Sequence, residues 1–358
     1  MRKRLSVILG LLLTASVFPQ ELIHNPAKPL NPQAGRVLKL EPVFVISDAS
    51  GEFYFKSTYR FDLDDRGFLF VLDRDQLLKF SPEGKFVANL FKKGQGPGEI
   101  ASSFQMVSFF CYGDSLCVYD GVGKIIRFDA DGKPVEEVKQ TAGRFFTMFG
   151  KCDQGFYLEG QTNAAWGGPA GFKEIETSAH LISPDGGRAE KIAGFISRIY
   201  QGPKFGMDWD NCTKVFNRRD GSLYVSHTCE YKVVRVDLAQ RKSVAAFTRE
   251  YRRVPFVIKE YEKDFYERNK PPLKDFENDV TELFVGGDNV WVQTSTTDKD
   301  KGALFDVFDP RGRFLDSFYL PSRMTLRLAG GEFIYVTEKD EDENILVKKY
   351  RVLDGPKS

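Results

Sequence analysis

Six side chains recur at one place in a repeated strand pattern, and four of them carry groups that could do chemistry. Asp73, Asp120, Gly160, His227, Thr294 and Glu338 each follow a short apolar strand. If the repeat sets them in a ring, Asp73, Asp120, His227 and Glu338 supply three carboxylates and an imidazole. That donor set suits Ca²⁺ or another divalent ion, and a bound metal could activate water for hydrolysis or lyase chemistry. The competing reading is that each aspartate caps its own turn by accepting backbone N–H bonds. His227 stands where the repeat otherwise favours an acid. No GxSxG, HExxH or Walker-type phosphate loop occurs. His24 falls in the N-terminal tail, so only His180 and His227 remain for a site. Apart from the possible divalent ion, no cofactor is implied.

A second group of residues could bind rather than react. Trp166 sits in a Gly-rich segment, and Met207-Asp208-Trp209-Asp210-Asn211 mixes an aromatic ring with acids. Further along, Ile258, Tyr261, Phe265 and Tyr266 recur at helical spacing among charged residues and stop at Pro271-Pro272, which predicts a short amphipathic helix. Trp166, Asp208, Trp209, Asp210, Tyr261 and Phe265 are therefore candidate contacts for a protein, peptide or glycan, or else rings packed onto the surface beneath them. The run Asp340 to Glu343 reads as a solvated loop.

The elements that must position these residues form a repeat. The triplets Leu69-Phe70-Val71, Leu116-Cys117-Val118, Phe156-Tyr157-Leu158, Leu223-Tyr224-Val225, Val290-Trp291-Val292 and Ile334-Tyr335-Val336 each follow a turn rich in Gly, Asp, Asn or Ser. Each leads to a second strand, and most of these to a turn such as Ser81-Pro82-Glu83-Gly84 and a further strand. Four-stranded meanders of roughly 40 residues plus insertions are propeller blades, so the fold class is all-β, a six-bladed β-propeller. The last blade runs out after its third strand. Val37 to Phe44 offers the missing outer strand, where Pro42 is tolerable at an edge, and this pairing closes the ring. The expected organisation is a signal peptide over 1–20, a linker over 21–35 and a single propeller domain over 36–354, with one short helix in an insertion.

With that pattern in view, Gly94-Gln95-Gly96-Pro97-Gly98-Glu99 and the preceding segment Gly67 to Lys85 resemble the GxGPGE connector and blade of bacterial exported six-bladed propellers related to NHL-repeat proteins. The resemblance spans about residues 36–353 and implies architecture and export more than an activity.

Blade geometry puts the first–second and third–fourth turns on one face, where they are short here. The long insertions fall on the other: Gly160–Ser178, Thr294–Lys301, Glu338–Asn344, Ile196–Asn211 and Arg249–Asp279. Loops held by a rigid scaffold carry function, so the insertion-rich face is the expected functional face.

Composition narrows the partners. Lys+Arg and Asp+Glu number 51 and 50, which excludes the basic footprint of a nucleic-acid protein. Arg2, Lys3 and Arg4 precede an apolar stretch from Leu5 to Phe18, shorter than the roughly 20 residues of a membrane span and suited to a signal-peptide core. The mature chain is expected to be periplasmic or secreted, with no integral membrane segment and an envelope protein, peptide or glycan as partner. The five cysteines, Cys111, Cys117, Cys152, Cys212 and Cys229, leave at least one unpaired. Cys111 with Cys117 and Cys212 with Cys229 lie close enough in sequence to pair, or all five are buried thiols.

Overall fold

The computed structural model describes residues 22–101, 107–161 and 169–356. Three strands come first: β1 (Leu22–Asn25), β2 (Arg36–Val37) and β3 (Leu40–Ile46). Blade 1 is β4 (Thr58–Leu63), β5 (Leu69–Asp73), β6 (Gln76–Phe80) and β7 (Phe86–Asn89). Blade 2 is β8 (Ser108–Tyr112), β9 (Ser115–Tyr119), β10 (Lys124–Phe128) and β11 (Pro134–Lys139). Blade 3 contains β12 (Thr147–Cys152), β13 (Gly155–Gln161), β14 (Gly171–Ile182) and β15 (Ala189–Gln201), with β16 (Gly206–Asp210) added to its edge. Blade 4 comprises β17 (Cys212–Asn217), β18 (Ser222–His227), β19 (Val233–Asp237) and β20 (Lys242–Arg249). After helix α1 (Lys263–Asn269), blade 5 follows as β21 (Val280–Gly286), β22 (Asn289–Asp298), β23 (Gly302–Phe308) and β24 (Phe314–Leu320). The last three strands, β25 (Thr325–Gly330), β26 (Phe333–Lys339) and β27 (Ile345–Val352), begin blade 6. The first strands of neighbouring blades touch all the way round, from β4 through β8, β12, β17, β21 and β25 back to β4.

Burial explains the repeated triplets. A blade is sandwiched between two neighbours, so its middle strands are covered on both faces and read as continuous apolar runs. Every residue of β5 and β6 is buried, whereas outer strand β7 alternates between half-buried and exposed. The core is accordingly a series of layers between blades. Phe70, Leu72 and Leu77 of blade 1 pack on Phe109, Leu116 and Val118 of blade 2. The turn glycines belong to the same contacts. Gly312, between β23 and β24, has φ +79°, and a Cβ there would lie 2.8 Å from Phe247 Cβ on the outer strand of blade 4. Gly84 meets Phe44 of β3 in the same way.

The ring closes as the sequence predicts, with β3 antiparallel to β27 as the outer strand of blade 6. Pro42 sits opposite Tyr350 next to a bulge on this outer strand, a position where proline is tolerated. The strand begins later than Val37, because Arg36 and Val37 pair instead in parallel with Phe318 and Tyr319 of β24. The expected linker over 21–35 is also corrected. β1 runs parallel to β20 over Ala246–Arg249, and the N–H groups of Leu30, Asn31 and Gly35 donate to carbonyls of Phe314, Leu315 and Ser317. Outer strands present unpaired backbone groups, and this stretch satisfies them on two blades before completing a third.

Replacing Gly312 with alanine should lower stability by about 1–3 kcal/mol, since the left-handed backbone and the Phe247 contact both oppose a Cβ. A shifted urea midpoint at unchanged m-value would show it.

Candidate binding face

Of the insertions predicted as loops, those of blade 3 are in large part strand, whereas 250–279 holds the helix and no named strand. Beyond the blade, Gly171–Glu176 of β14 pairs with Ile196–Gln201 of β15, and β16 folds back along β15 from Arg198 to Gln201. The result is a three-stranded projection on the insertion-rich face. Burial alternates residue by residue only from Phe195 to Gln201. The residue types carry no such signal, because Ile192, Phe195, Ile196, Ile199 and Tyr200 recur at helical spacing while Ser197 and Gln201 are buried.

Aromatic side chains join this projection to the segment before blade 5. Trp209 on β16 meets Phe172 on β14 edge to face, with ring centroids 4.8 Å apart, and Phe172 is 5.3 Å from Tyr200. Tyr200 continues to Phe205 at 6.0 Å, and Phe205 to Phe265 of α1 at 5.2 Å. Lys274 Nζ lies 5.5 Å from the Trp209 ring centroid, within cation–π range. Burial pulls the Lys274 pKa below the ordinary lysine value, although Asp210 and Asp208 act in the opposite sense. Phe172 remains 53% exposed. Of the predicted contacts, Trp209 and Phe265 thus belong to one aromatic surface. Asp208 is exposed beside it, and Asp210 is buried with Arg198 3.9 Å away. Tyr261 stands apart, 78% exposed. Trp166 lies outside the described residues.

The helix is shorter than its spacing implies. Glu260–Glu262 forms a 3₁₀ turn, α1 follows, and Lys270 ends it with φ 45°. Phe265 and Tyr266 reach Phe205 and Met207, while no residue of α1 is fully buried.

A cavity of about 470 Å³ opens between blades 4 and 5 on the same face. Tyr231 and Arg249 line it and both donate to Asp306 Oδ2, at 2.5 and 2.7 Å. Asp306 is fully buried, and burial pushes its carboxyl above the usual range while Arg249 pulls the other way. Arg253 holds Asp279 at 2.9 Å and the Cys229 carbonyl at 2.8 Å. The sequence reading missed this cluster. Its one trace was an aspartate inside the apolar run Ala303–Phe308.

The candidate metal ring is not assembled. Among the described residues, no group of three or more His, Cys, Asp or Glu side chains could hold an ion. Asp73 accepts from the N–H groups of Lys56 and Ser57, at 2.8 and 3.0 Å. Asp120 caps its own loop through Val122, Gly123 and Lys124. Glu338 is bound by Lys348 and Tyr350, both at 2.9 Å. His227 pairs across the sheet with Cys212. These donors stand on four different blades, the three acids with lone pairs directed at local partners, and they do not fit a shared Ca²⁺ or other divalent ion.

All five cysteines are free thiols. Cys111 pairs with Leu116, and Cys117 with Phe110, so the two thiols face opposite sides of blade 2 and enter different core layers. Cys212 lies opposite His227 in the ladder, whereas Cys229 lies beyond the end of β18.

With this geometry in place, the comparisons with known proteins agree on architecture. Residues 48–161 match a family model described as a six-bladed β-propeller. No curated protein matches the chain. A Bacteroides fragilis protein described as exported is 12% identical with a TM-score of 0.54, covering 93% of this chain and 100% of that one. A luciferin-regenerating enzyme is 12% identical with a TM-score of 0.46, over 89% and 98% of the two chains. The WD40 domain of Neurospora crassa Pan2 is 9% identical with a TM-score of 0.43, over 90% and 98%. The chain is a six-bladed β-propeller, and the likeness to the Bacteroides fragilis protein is one of fold alone.

Arg249→Met should cost about 3–5 kcal/mol by leaving the Asp306 carboxylate buried and unpaired, measurable by denaturant titration. Burial pushes the thiols of Cys117 and Cys229 up to about 11 and that of Cys212 up to about 12, the Asp210 carboxylate adding to the effect at Cys229. A raised folded pKa favours the native state below the unfolded value of about 8.5. The melting temperature should therefore hold to that pH and fall as the pH climbs toward 11, and iodoacetamide should label these thiols slowly until urea unfolds the chain.

Proposed function

We propose that this propeller is an exported binding protein, periplasmic or secreted, whose insertion-rich face recognises a protein, peptide or glycan of the cell envelope. The observation that carries this reading is the aromatic surface from Trp209 through Phe172, Tyr200 and Phe205 to Phe265, built from three separate insertions. Large rings with few rotatable bonds give contact area at small entropic cost, and they dominate binding hot spots. Lys274 and Asp208 add one charge of each sign beside the rings. Export is supported by the charged N-terminus followed by an apolar stretch and by the fold shared with a protein described as exported. No helix among the described residues is long and apolar enough to cross a membrane.

Trp209→Ala combined with Phe172→Ala should weaken capture of the envelope partner by about tenfold or more, a loss of at least roughly 1.4 kcal/mol. Pull-downs from envelope extract, with the melting curve as a check on folding, measure this. Equal capture by a folded double variant would refute the reading.

A further inference from the structure

Side chains cross the central channel at one end. Arg218, in the turn between β17 and β18, crosses from blade 4 to the facing blade 1, where it pairs with Asp62 and donates to the Leu63 carbonyl at 2.8 Å. Its guanidinium lies 4.3 Å over the ring of Phe110 from blade 2. Phe110 in turn meets Phe216 of blade 4 with ring centroids 5.6 Å apart, and Phe149 of blade 3 joins Phe216 at 6.4 Å. Side chains of four blades thus meet across the channel toward the short-turn face.

Above these side chains, toward the insertion-rich face, lies a cavity of about 370 Å³. It is lined by the first halves of the inner strands of blades 1 to 4 and by Glu159 of β13, with Arg60, Lys214 and Glu159 as its charged groups and Ser108, Thr147 and Thr213 as its hydroxyls. Lys214 and Glu159 form an ion pair with both side chains about four-fifths buried, at 18% and 19% exposure. Thr213 donates to Glu282 at 2.7 Å, tying the wall to blade 5. On blade 6, Arg327 donates to Thr337 Oγ1 at 3.0 Å, and burial draws its pKa below the usual guanidinium value.

Three properties define what such a cavity can take. Its volume is at the small end of ligand pockets, which run from about 300 to 1,000 Å³. The lining carries one more positive than negative group, and low-dielectric walls focus that field. The hydroxyls around the charges match a ligand that itself carries hydroxyls. We infer that the channel mouth is a binding site for a small hydroxylated carboxylate, whose carboxylate is taken by Arg60 and Lys214. Arginine suits this role through its fork of parallel N–H donors. Glu159 then competes with the ligand for Lys214 and sets the affinity. This site is separate from the aromatic surface and does not depend on it.

Titration calorimetry of the mature full chain at low ionic strength, with glucuronate as probe, tests the inference. Glucuronate should bind, and neutral glucose should give no heat. Lys214→Met and Arg60→Met should each weaken binding by about tenfold or more, the loss of a charged hydrogen bond. Glu159→Gln should strengthen it severalfold, because the neutral amide neither repels the carboxylate nor holds Lys214 as tightly. That gain cannot come from a damaged fold, so it stays decisive if a cation variant unfolds. Absence of glucuronate binding in both the native chain and Glu159→Gln would overturn the proposal. So would unchanged affinity in a folded Lys214→Met, or binding of inorganic phosphate in place of glucuronate.

Discussion

The antiparallel pairing of β3 with β27 is the constraint on which the molecule depends. Each blade buries its two faces only against its neighbours, so an open ring would leave the apolar faces of the first and last blades in water. The layer that β3 helps to seal contains Ile46, Phe53, Phe55 and Phe80 with Tyr335 and Val347. It joins the start of the chain to its end at a sequence separation near the maximum available, which carries a loop-closure cost that rises only slowly with length. The N-terminal segment does more than close the ring. Before reaching blade 6 it lies along blades 4 and 5, where Arg36 holds Asp316 with two bonds of 3.0 Å. Outer edges that would otherwise present free backbone groups are covered on those blades.

A closed ring also decides where function can reside. The short turns on one face leave little that can vary. Arg218 and the rings of Phe110 and Phe216 cross the channel at that end, and the opposite face carries both the channel mouth and the projection of blade 3. The aromatic surface and the channel cavity are thus two sites on one face with different chemistry. One is an open array of rings suited to an extended partner. The other is a solvent-open cavity of about 370 Å³ with charged and hydroxyl groups in its wall.

Much of the fold was legible because a blade repeats its physics. A Gly or Asp turn followed by a fully apolar triplet requires a strand covered on both faces, and six such units leave a propeller as the economical arrangement. The site was less legible because its logic is not repeated. β14 and β15 outgrow their blade, and the apolar residues of β15 from Ile192 to Tyr200 recur at helical spacing, so the inserted hairpin carried no strand signal of its own. Cys111 and Cys117 illustrate the limit of sequence proximity. A tight hairpin brings them near, but a one-residue offset in register sends them to opposite faces. Asp73 and Asp120 were equally ambiguous as letters. Their hydrogen bonds to backbone N–H groups resolve them as structural caps.

Charged residues make the same point most sharply. Arg218, Arg249, Arg60 and Lys214 are of similar type, and three of them line cavities. Arg249 is committed to a fully buried carboxylate that also accepts from Tyr231, so moving it would strand a charge at the blade interface. Arg218 is held by an acid and a carbonyl of the blade opposite, which makes it part of the ring's framework. Lys214 differs. Its partner Glu159 sits beside it at the wall of a cavity and keeps some exposure, so turning Lys214 to another carboxylate leaves Glu159 facing the cavity rather than sealed at a blade interface. Whether a cation is framework or ligand-binding group is thus decided by what it would leave behind on turning away from its present partner.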